Sequence, residues 1–291
     1  MTQQRAGALS ALTAFSLWGV FPVFWKQLAF LPAPDIVAYR TIWSLAFLLL
    51  ILTVRRELRP LATALSSKKT VLWLFVSGSL LAANWILYVW ATVNGHILEG
   101  ALGYYLTPFL NMLCGALFYA ERNNRLQVAA IAIALTGVAI QLPTVGHFPW
   151  IALSLALTFS IYGLCKKAAP LDSRMGITAE TLLLVPAAIL WLTLRPAPES
   201  AAAGFSPGQW LLIAGTGLAT TLPLLFFGHA VRHIRLTTIG IIQFIAPTLQ
   251  FLSGWLIYGE PLGNARLFSF ILIWTAIAIY AAGAVRHRPQ S

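Results

Sequence analysis

Long apolar stretches separated by short polar loops run along the whole chain. Ten of them can be delimited, and each is close to the roughly 20 residues that a helix needs to cross the hydrocarbon of a bilayer. They lie near residues 7–25, 36–54, 71–91, 101–120, 126–142, 149–165, 177–194, 209–230, 238–258 and 266–284. The pattern predicts an all-α integral membrane protein with ten transmembrane helices and no soluble domain.

One membrane-spanning segment is present twice in the chain. The matching pairs lie 139 residues apart and are Pro108 and Pro247, Asn111 and Gln250, Gly115 and Gly254, Tyr119 and Tyr258, and Glu121 and Glu260. A repeated membrane-spanning unit is typical of transporters built from two structural repeats. The repetition therefore bears on function as well as on fold.

The two predicted halves must have opposite orientations in the membrane. Each half holds five predicted spans, so the second half enters the bilayer from the side opposite to the first. A weaker match supports the division, because residues 15–19 resemble residues 159–163 at an offset of 144. We therefore predict an inverted 5+5 repeat, with five helices in residues 1–142, five in residues 143–291 and a binding site near mid-membrane between them.

The composition agrees with a membrane protein. Of the 291 residues, 59% are hydrophobic and only 9% are charged, whereas soluble domains carry about 25% charged residues. The net charge of +11 could suggest a nucleic-acid partner, but the basic residues lie in separate loops and form no single patch. We expect a lipid bilayer around the chain and no nucleic acid.

The basic residues also predict the orientation of the chain. With a cytoplasmic N-terminus, fifteen of the nineteen Lys and Arg residues lie on the cytoplasmic side. Only Lys26, Arg195 and Arg266 lie on the other side, and Arg40 falls within a span. Because cytoplasmic loops carry the excess of Lys and Arg, both termini are predicted to be cytoplasmic. The first apolar run is too long for a typical signal-peptide core and is predicted to be the first span.

Two charged residues inside predicted spans are candidates for gating or for binding a charged substrate. Arg40 lies about one turn into the second span, and Glu180, the only clearly embedded acid, occupies the matching place of the seventh. Charged groups in a bilayer are costly and often functional. Arg40 could hold a substrate carboxylate, and Glu180 could hold a cation or a proton. The alternatives for Arg40 are a snorkelling arginine or an ion pair that fixes packing, and the alternative for Glu180 is an acid that is stabilised by the helix dipole at a helix start.

Amide, hydroxyl and aromatic side chains within the spans are candidates for a substrate cavity. The residues expected to line it are Asn84, Trp85, Tyr88, Tyr105, Asn111, Thr221, Gln243 and Gln250. Such a lining favours an amphipathic, zwitterionic or cationic organic substrate over a phosphate. The alternative is that these groups form an interfacial aromatic belt and hydrogen bonds between helices.

Three prolines within the spans are candidate hinges. Pro108, Pro223 and Pro247 each remove one helical hydrogen bond, so each could bend its helix during transport or present a carbonyl to the substrate. A static packing kink is the alternative. Glu121 and Glu260, which end the repeated spans, are expected to cap or pair locally.

Metal and cofactor signals are lacking in the sequence. Cys114 and Cys165 lie in or beside apolar spans with no metal-ligand spacing, and no phosphate-binding loop is present. We therefore expect no cofactor, no metal and no catalytic residues, and a substrate gradient or an ion gradient as the energy source.

Several short motifs together resemble the RarD group of the EamA-type drug/metabolite transporter superfamily. They comprise Asn84, Trp85, Trp90 and Asn94; Gly103, Tyr104, Tyr105, Pro108, Glu121 and Arg122; Thr221, Pro223 and Leu224; and Gln243, Pro247, Thr248 and Glu260. The resemblance covers nearly the whole chain. It implies a ten-helix, inverted-repeat carrier in a bacterial inner membrane.

The sequence thus favours an alternating-access carrier that moves a small organic metabolite or drug, in the export direction, as a monomer or a homodimer. Two other classes stay open. An intramembrane lipid-modifying enzyme would need acids, histidines or cysteines clustered at one depth. A channel or a membrane scaffold would need no saturable site.

Overall fold

Regular structure in the computed structural model is entirely helical within the described residues, which are 3–93, 97–121, 123–140, 148–169, 171–195, 204–257 and 264–286. The helices are α1 (Gln3–Lys26), α2 (Ala33–Val54), α3 (Leu58–Leu65), α4 (Lys68–Val93), α5 (Ile97–Tyr119), α6 (Arg125–Ala139), α7 (Trp150–Lys167), α8 (Ser173–Leu194), α9 (Pro207–His233), α10 (Leu236–Gln243), α11 (Ile245–Leu252) and α12 (Asn264–Arg286). A π-helical turn, Ser253–Ile257, follows α11. Asn94, Arg122, Tyr258 and Glu260 lie outside the described residues.

Within the described ranges, five helical segments are long and apolar enough to cross a membrane: Gln3–Lys26, Pro34–Val54, Lys68–Tyr88, Ser173–Leu194 and Pro207–His233. The other predicted spans also fall on helices, and the full count of ten stays a prediction. The short helix α3 lies in a stretch predicted as a loop and buries Leu61.

The ninth predicted span is not one continuous helix. Its first part, α10, ends at Gln243, and α11 begins at Ile245. The break lies one turn before Pro247, which has no N–H to donate to the carbonyl of Gln243. In contrast, α5 continues through Pro108 and α9 through Pro223.

Two helices begin where the sequence supplies complete capping boxes. The side chain of Asn124 accepts from the N–H of Gln127 at the start of α6, and Ser206 does the same for Gln209 at the start of α9. In both cases the side-chain oxygen of the glutamine accepts a hydrogen bond from the backbone N–H of the capping residue. These reciprocal bonds satisfy N–H groups that a helix start leaves unpaired.

The distribution of polar and apolar side chains is that of a protein solvated by lipid. Large apolar residues cover the outside; Val54 and Leu211 are 76% and 75% exposed. Polar side chains lie within; Asn84 and Glu180 are 1% and 2% exposed. A bilayer does not solvate polar groups, so these side chains must find partners inside the bundle.

The most extensive helix contacts join the two predicted halves. Here α1 packs on α9 and α11, α2 on α8 and α9, α4 on α7 and α8, α5 on α7 and α10, and α6 on α12. Close approach is possible because glycines lie at several of these contacts. A side chain on Gly217 of α9 would meet the backbone of Trp43 on α2, and one on Gly103 of α5 would lie 2.9 Å from the carbonyl oxygen of Ala152 on α7.

Candidate substrate-binding site

A cavity of about 110 Å³ lies between the two predicted halves. Its described lining is mainly aromatic, with three amides and one cation. The lining residues are Phe15, Trp18, Trp25, Arg40, Asn84, Trp85, Tyr88, Tyr104, Phe159, Ala219, Gln243, Ala246, Pro247 and Gln250. Both predicted halves therefore contribute to one concave, largely apolar site, the usual form of a small-molecule site.

Arg40 is the cation in this wall, and its neighbours hold it in place. Its Nε donates to the hydroxyl of Thr220 on α9 at 3.0 Å. The guanidinium carbon lies 3.9 Å from the ring centroid of Trp85 and 5.2 Å from that of Trp25. A guanidinium over a ring face is attracted by the ring quadrupole. The two indoles and Thr220 fix the side chain but leave the Nη groups without a hydrogen-bond partner among the described residues.

The cavity amides also tie helices together. Asn84 donates from Nδ2 to the carbonyl of Leu155 and to the hydroxyl of Thr158, both at 2.9 Å, which joins α4 to α7. Gln250 donates to the carbonyl of Trp18 at 3.2 Å, which joins α11 to α1. The interhelical alternative considered from sequence therefore holds for both side chains, and both also line the cavity.

Asn111 contacts an amide that is not its equivalent in the repeat. Its equivalent in the repeat is Gln250, but its Nδ2 donates to Oε1 of Gln243 at 2.8 Å. Equivalent positions in two repeats need not touch, because each helix packs on its own neighbours. Asn111 thus lies behind the cavity wall and supports Gln243, which is part of the wall.

Two other residues that were predicted to line the cavity are absent from its described wall, and in each case the preceding residue lies at or next to the site. Tyr104 lines the cavity, whereas Tyr105 is buried in a separate apolar cluster. Thr220 bonds Arg40, whereas the buried hydroxyl of Thr221 has no hydrogen-bond partner among the described residues. Adjacent helical positions point about 100° apart, so only one residue of each neighbouring pair can face the cavity.

The three hinge candidates share a relationship to the cavity. A proline leaves the carbonyl four residues before it without its helical donor. For Pro108, Pro223 and Pro247 these carbonyls belong to Tyr104, Ala219 and Gln243, and all three residues line the cavity. Backbone acceptors that lack a helical donor are therefore concentrated around the site.

Glu180 lies outside the cavity, in a buried polar cluster that the sequence did not reveal. Its carboxylate accepts from Lys166 Nζ at 3.2 and 3.3 Å, from Ser77 Oγ at 2.5 Å and from the Tyr162 hydroxyl at 3.4 Å. The charge count had placed Lys166 in a cytoplasmic loop, but its side chain is 2% exposed. The match between Glu180 and Arg40 in the repeat did not indicate that Lys166 would be the partner of Glu180.

A layer of aromatic rings lies between the cavity and Glu180; we call it the aromatic layer, and it comprises Phe15, Trp18, Phe159, Tyr162 and Phe227. Tyr162 is stacked on Phe227 with ring centroids 6.2 Å apart, and Phe159 lies 5.3 Å from Phe227. Phe15, Trp18 and Phe159 also form cavity wall. Since the hydroxyl of Tyr162 reaches Glu180, the layer connects the cavity directly to the buried ion pair.

A second buried acid corrects the expectation that Glu180 is the only one. Asp35, near the start of α2, is fully buried and lies 2.8 Å from Nε of Arg195, just after the end of α8. Trp191 donates to the same carboxylate at 3.2 Å. Arg195, assigned from sequence to the external side, thus joins α8 to α2 at the end of α8 opposite to Glu180.

Glu121 caps a helix, as expected, but that helix belongs to the other half of the chain and is not a local one. Lying after the end of α5, it accepts from the N–H groups of Leu236 and Thr237 at the start of α10 and from the hydroxyl of Thr237. Burial acts to raise the pKa of the carboxyl, but these bonds and the charge of Lys167 outweigh it and lower the pKa. Gly115 provides space, since a Cβ there would lie 2.5 Å from the carboxylate.

Metal-ligating side chains do not cluster within the described ranges: no three His, Cys, Asp or Glu residues there could jointly hold an ion. Cys114 and Cys165 are free thiols of intermediate exposure.

Comparisons with known proteins connect this architecture to transporters. The model of the EamA-like transporter family matches residues 5–142. Uncharacterized transporter YojE of Bacillus subtilis (strain 168) is 38% identical over 99% of this chain and 98% of its own length. Protein RarD of Salmonella typhimurium is 39% identical over 97% of both chains. A solved crystal structure superposes with a TM-score of 0.72 over 98% of this chain and all of its own, at 18% identity, and this likeness concerns the fold alone.

Proposed function

Because the chain belongs to the EamA-like transporter family and, within it, to the RarD group, we propose that it is a secondary transporter that exports a small organic metabolite or drug by alternating access. Its apolar helices and its family make it a multi-pass protein of the inner membrane. The observation that carries the proposal is the cavity between the two predicted halves, with Arg40 among its aromatic and amide side chains.

The proposed architecture is the inverted 5+5 repeat, with both termini in the cytoplasm. Its support is the symmetry of the helix contacts. If α1, α2, α4, α5 and α6 are exchanged for α7, α8, α9, the α10–α11 pair and α12, the set of extensive contacts stays the same. Gly78 of α4 and Gly217 of α9 lie 139 residues apart and add to this support. Gly78 packs closely against α8, and Gly217 packs closely against α2. The exchange that turns α4 into α9 also turns α8 into α2, so the two contacts are equivalent.

The proposed closed side is the cytoplasmic one. The cavity reaches Trp25 and Arg40, which the topology places toward the outside. On the other side the aromatic layer and the Lys166–Glu180 pair fill the interior. Alternating access would then require the layer to separate and the ion pair to break or move when the cytoplasmic side opens. Pro108, Pro223 and Pro247 are the proposed hinges, since each weakens a helix that borders the cavity.

Counterflow in proteoliposomes tests the carrier function. Liposomes containing purified protein would be loaded with one unlabelled solute from an anionic, zwitterionic, neutral and cationic panel, and the labelled solute would be added outside. A carrier gives transient, saturable accumulation of label, whereas a channel gives simple equilibration. Protein-free liposomes are the control. If no solute in the panel gives counterflow with monodisperse protein, the carrier proposal fails, and release of modified lipid would instead favour the enzyme.

The direction and orientation need separate measurements. Single cysteines placed at either terminus of a variant lacking Cys114 and Cys165 should react with an impermeant maleimide only after cells are permeabilised. Cells expressing the protein should retain less of a transported solute than cells with an empty vector. Labelling in intact cells would contradict the orientation, and greater retention would contradict export.

A further inference from the structure

The cavity contains a cation whose anionic partner is not part of the described chain. Arg40 has no carboxylate within ion-pair distance there, and no Asp or Glu is among the described residues of the wall. Its hydrogen bond to Thr220 uses only Nε. The Nη groups, which carry the remaining N–H donors of the guanidinium, thus have no hydrogen-bond partner among the described residues.

An unpaired guanidinium inside a membrane protein is costly, and the surroundings of Arg40 offset only part of that cost. Trp85 and Trp25 provide ring faces at 3.9 and 5.2 Å from the guanidinium carbon. Ring faces stabilise a cation, but they do not accept the hydrogen bonds that the N–H groups of the guanidinium direct outward in its own plane. What remains available is the fork geometry that matches a carboxylate with two parallel hydrogen bonds.

The remainder of the wall specifies the body of the ligand. Phe15, Trp18, Tyr88, Tyr104 and Phe159 surround the space with rings. Its volume of about 110 Å³ is of the same order as the roughly 150 Å³ engineered apolar cavity that binds benzene. The site therefore has room for about one aromatic ring, which can pack edge-to-face or offset against the wall.

We propose that the transported substrate is a small aromatic carboxylate, held by its carboxylate on the Nη groups of Arg40 and by its ring among the aromatic side chains of the cavity. This inference rests on the proposed transport function and narrows its substrate class. It also replaces the expectation that a cation would suit the site, because an ammonium group there would meet the guanidinium and no described carboxylate.

Equilibrium binding to the wild-type protein tests the substrate class without any mutation. Phenylacetate, phenylacetamide, phenethylamine and cyclohexylacetate would be titrated by calorimetry into purified protein in detergent. Since hydrogen bonds to charged groups are the stronger ones, phenylacetate should bind about tenfold or more tighter than phenylacetamide. Phenethylamine should not compete with phenylacetate for binding. Cyclohexylacetate has the same charge as phenylacetate but a saturated ring without π electrons, and it should bind several-fold more weakly than phenylacetate. Equal affinity of phenylacetate and phenethylamine would overturn the proposal.

Variants then locate the carboxylate. Arg40→Gln should lower phenylacetate affinity by about tenfold or more while leaving phenylacetamide affinity nearly unchanged. Arg40→Lys keeps the charge but not the forked geometry of the guanidinium, so it should give an intermediate loss of phenylacetate affinity. It replaces Arg40→Gln in the test if the glutamine variant does not fold. Arg174→Gln, which removes a cation paired with Glu57 away from the cavity, should have no effect. Unchanged phenylacetate affinity in folded Arg40→Gln would contradict the assignment.

The two proposals can fail separately. If another solute class gives counterflow and aromatic carboxylates neither bind nor compete, the protein is a carrier and the substrate class is wrong. If phenylacetate binds through Arg40 but shows no counterflow, the site is right and the transport function is wrong.

Discussion

The ammonium group of Lys166 lies 3.2 Å from Oε2 of Glu180, and both side chains are 2% exposed. Lys166 is near the end of α7 and Glu180 is two turns into α8, so the pair links consecutive helices on the side of the aromatic layer away from the cavity. Ser77 of α4 donates to the same carboxylate. Three helices therefore meet at one buried charge pair.

Removing one member of this pair should destabilise the protein strongly. Lys166→Met leaves a buried carboxylate without its cation, which typically costs about 3–5 kcal/mol. Glu180→Gln in the Lys166→Met background should recover most of that loss, because the amide oxygen can still accept from Ser77 and Tyr162. Denaturant unfolding in detergent of the two single variants and the double variant gives the coupling. Additive losses would mean that the pair is not coupled.

The prolines should show opposite effects on stability and on transport. Replacing Pro108 by alanine restores an N–H for the carbonyl of Tyr104, and a proline inside a helix costs about 3 kcal/mol. Pro108→Ala should therefore raise the melting temperature and, if Pro108 is a hinge, slow turnover. The matched control is Pro186→Ala in α8, whose freed carbonyl belongs to Leu182, outside the described cavity lining. Equal turnover in both variants would identify Pro108 as a static kink.

Adjacent hydroxyls on α9 should differ in their effect on substrate affinity. Thr220→Val removes the acceptor that orients Arg40 Nε, so phenylacetate affinity should fall several-fold. Thr221→Val removes a buried hydroxyl with no described partner, so affinity should stay the same and stability should hold or rise. Calorimetric titrations and thermal melts of both variants make the comparison. A larger loss of affinity in Thr221→Val would restore the role first expected for that residue.

Tryptophans of α4 provide a similar comparison for the ring over the guanidinium. Trp85→Leu removes the face that lies 3.9 Å from Arg40 and should lower affinity for aromatic carboxylates. Trp90→Leu changes an indole that is 42% exposed and is not among the described lining residues, so it should leave affinity unchanged. Competition binding of labelled phenylacetate measures both, and equal losses would contradict a specific role for Trp85.

Glu121 should make the fold sensitive to acid. Its pKa lies below the ordinary value of 4.5 in the folded protein. The ionised carboxylate therefore stabilises the fold above that value, and this stabilisation is lost as the pH falls through the folded-state pKa. Glu121→Gln should be less stable than wild type at neutral pH, and the difference should shrink below about pH 4.5. Thermal melts across this range provide the measurement; parallel curves for the two proteins would show that Glu121 does not contribute.

Local sequence was sufficient for several features. Apolar length predicted where helices lie, since the requirement for about 20 apolar residues acts on each segment separately. The family was evident from motifs around Asn84, Pro108 and Pro247. Five residues singled out as lining candidates, Asn84, Trp85, Tyr88, Gln243 and Gln250, and the charged candidate Arg40 lie around one cavity. Each of these is a polar or aromatic group in an apolar stretch, which is conspicuous because a bilayer penalises it.

Contacts between distant segments could not be obtained in this way. Whether Tyr104 or Tyr105, and Thr220 or Thr221, faces the cavity depends on the rotation of each helix about its axis, which packing against other helices fixes. Lys166 counted as a loop charge because its partner Glu180 is apparent only once α7 and α8 lie side by side.

The sequence by itself therefore determined the membrane class, the family and the repeated segment, because hydrophobic length and local motifs carry that information. The tertiary structure decided which side chains meet: Arg40 with Thr220, Asn111 with Gln243 and Lys166 with Glu180. The physical reason is that lipid solvates none of these polar groups, so each must be satisfied by whichever helix packing brings within reach.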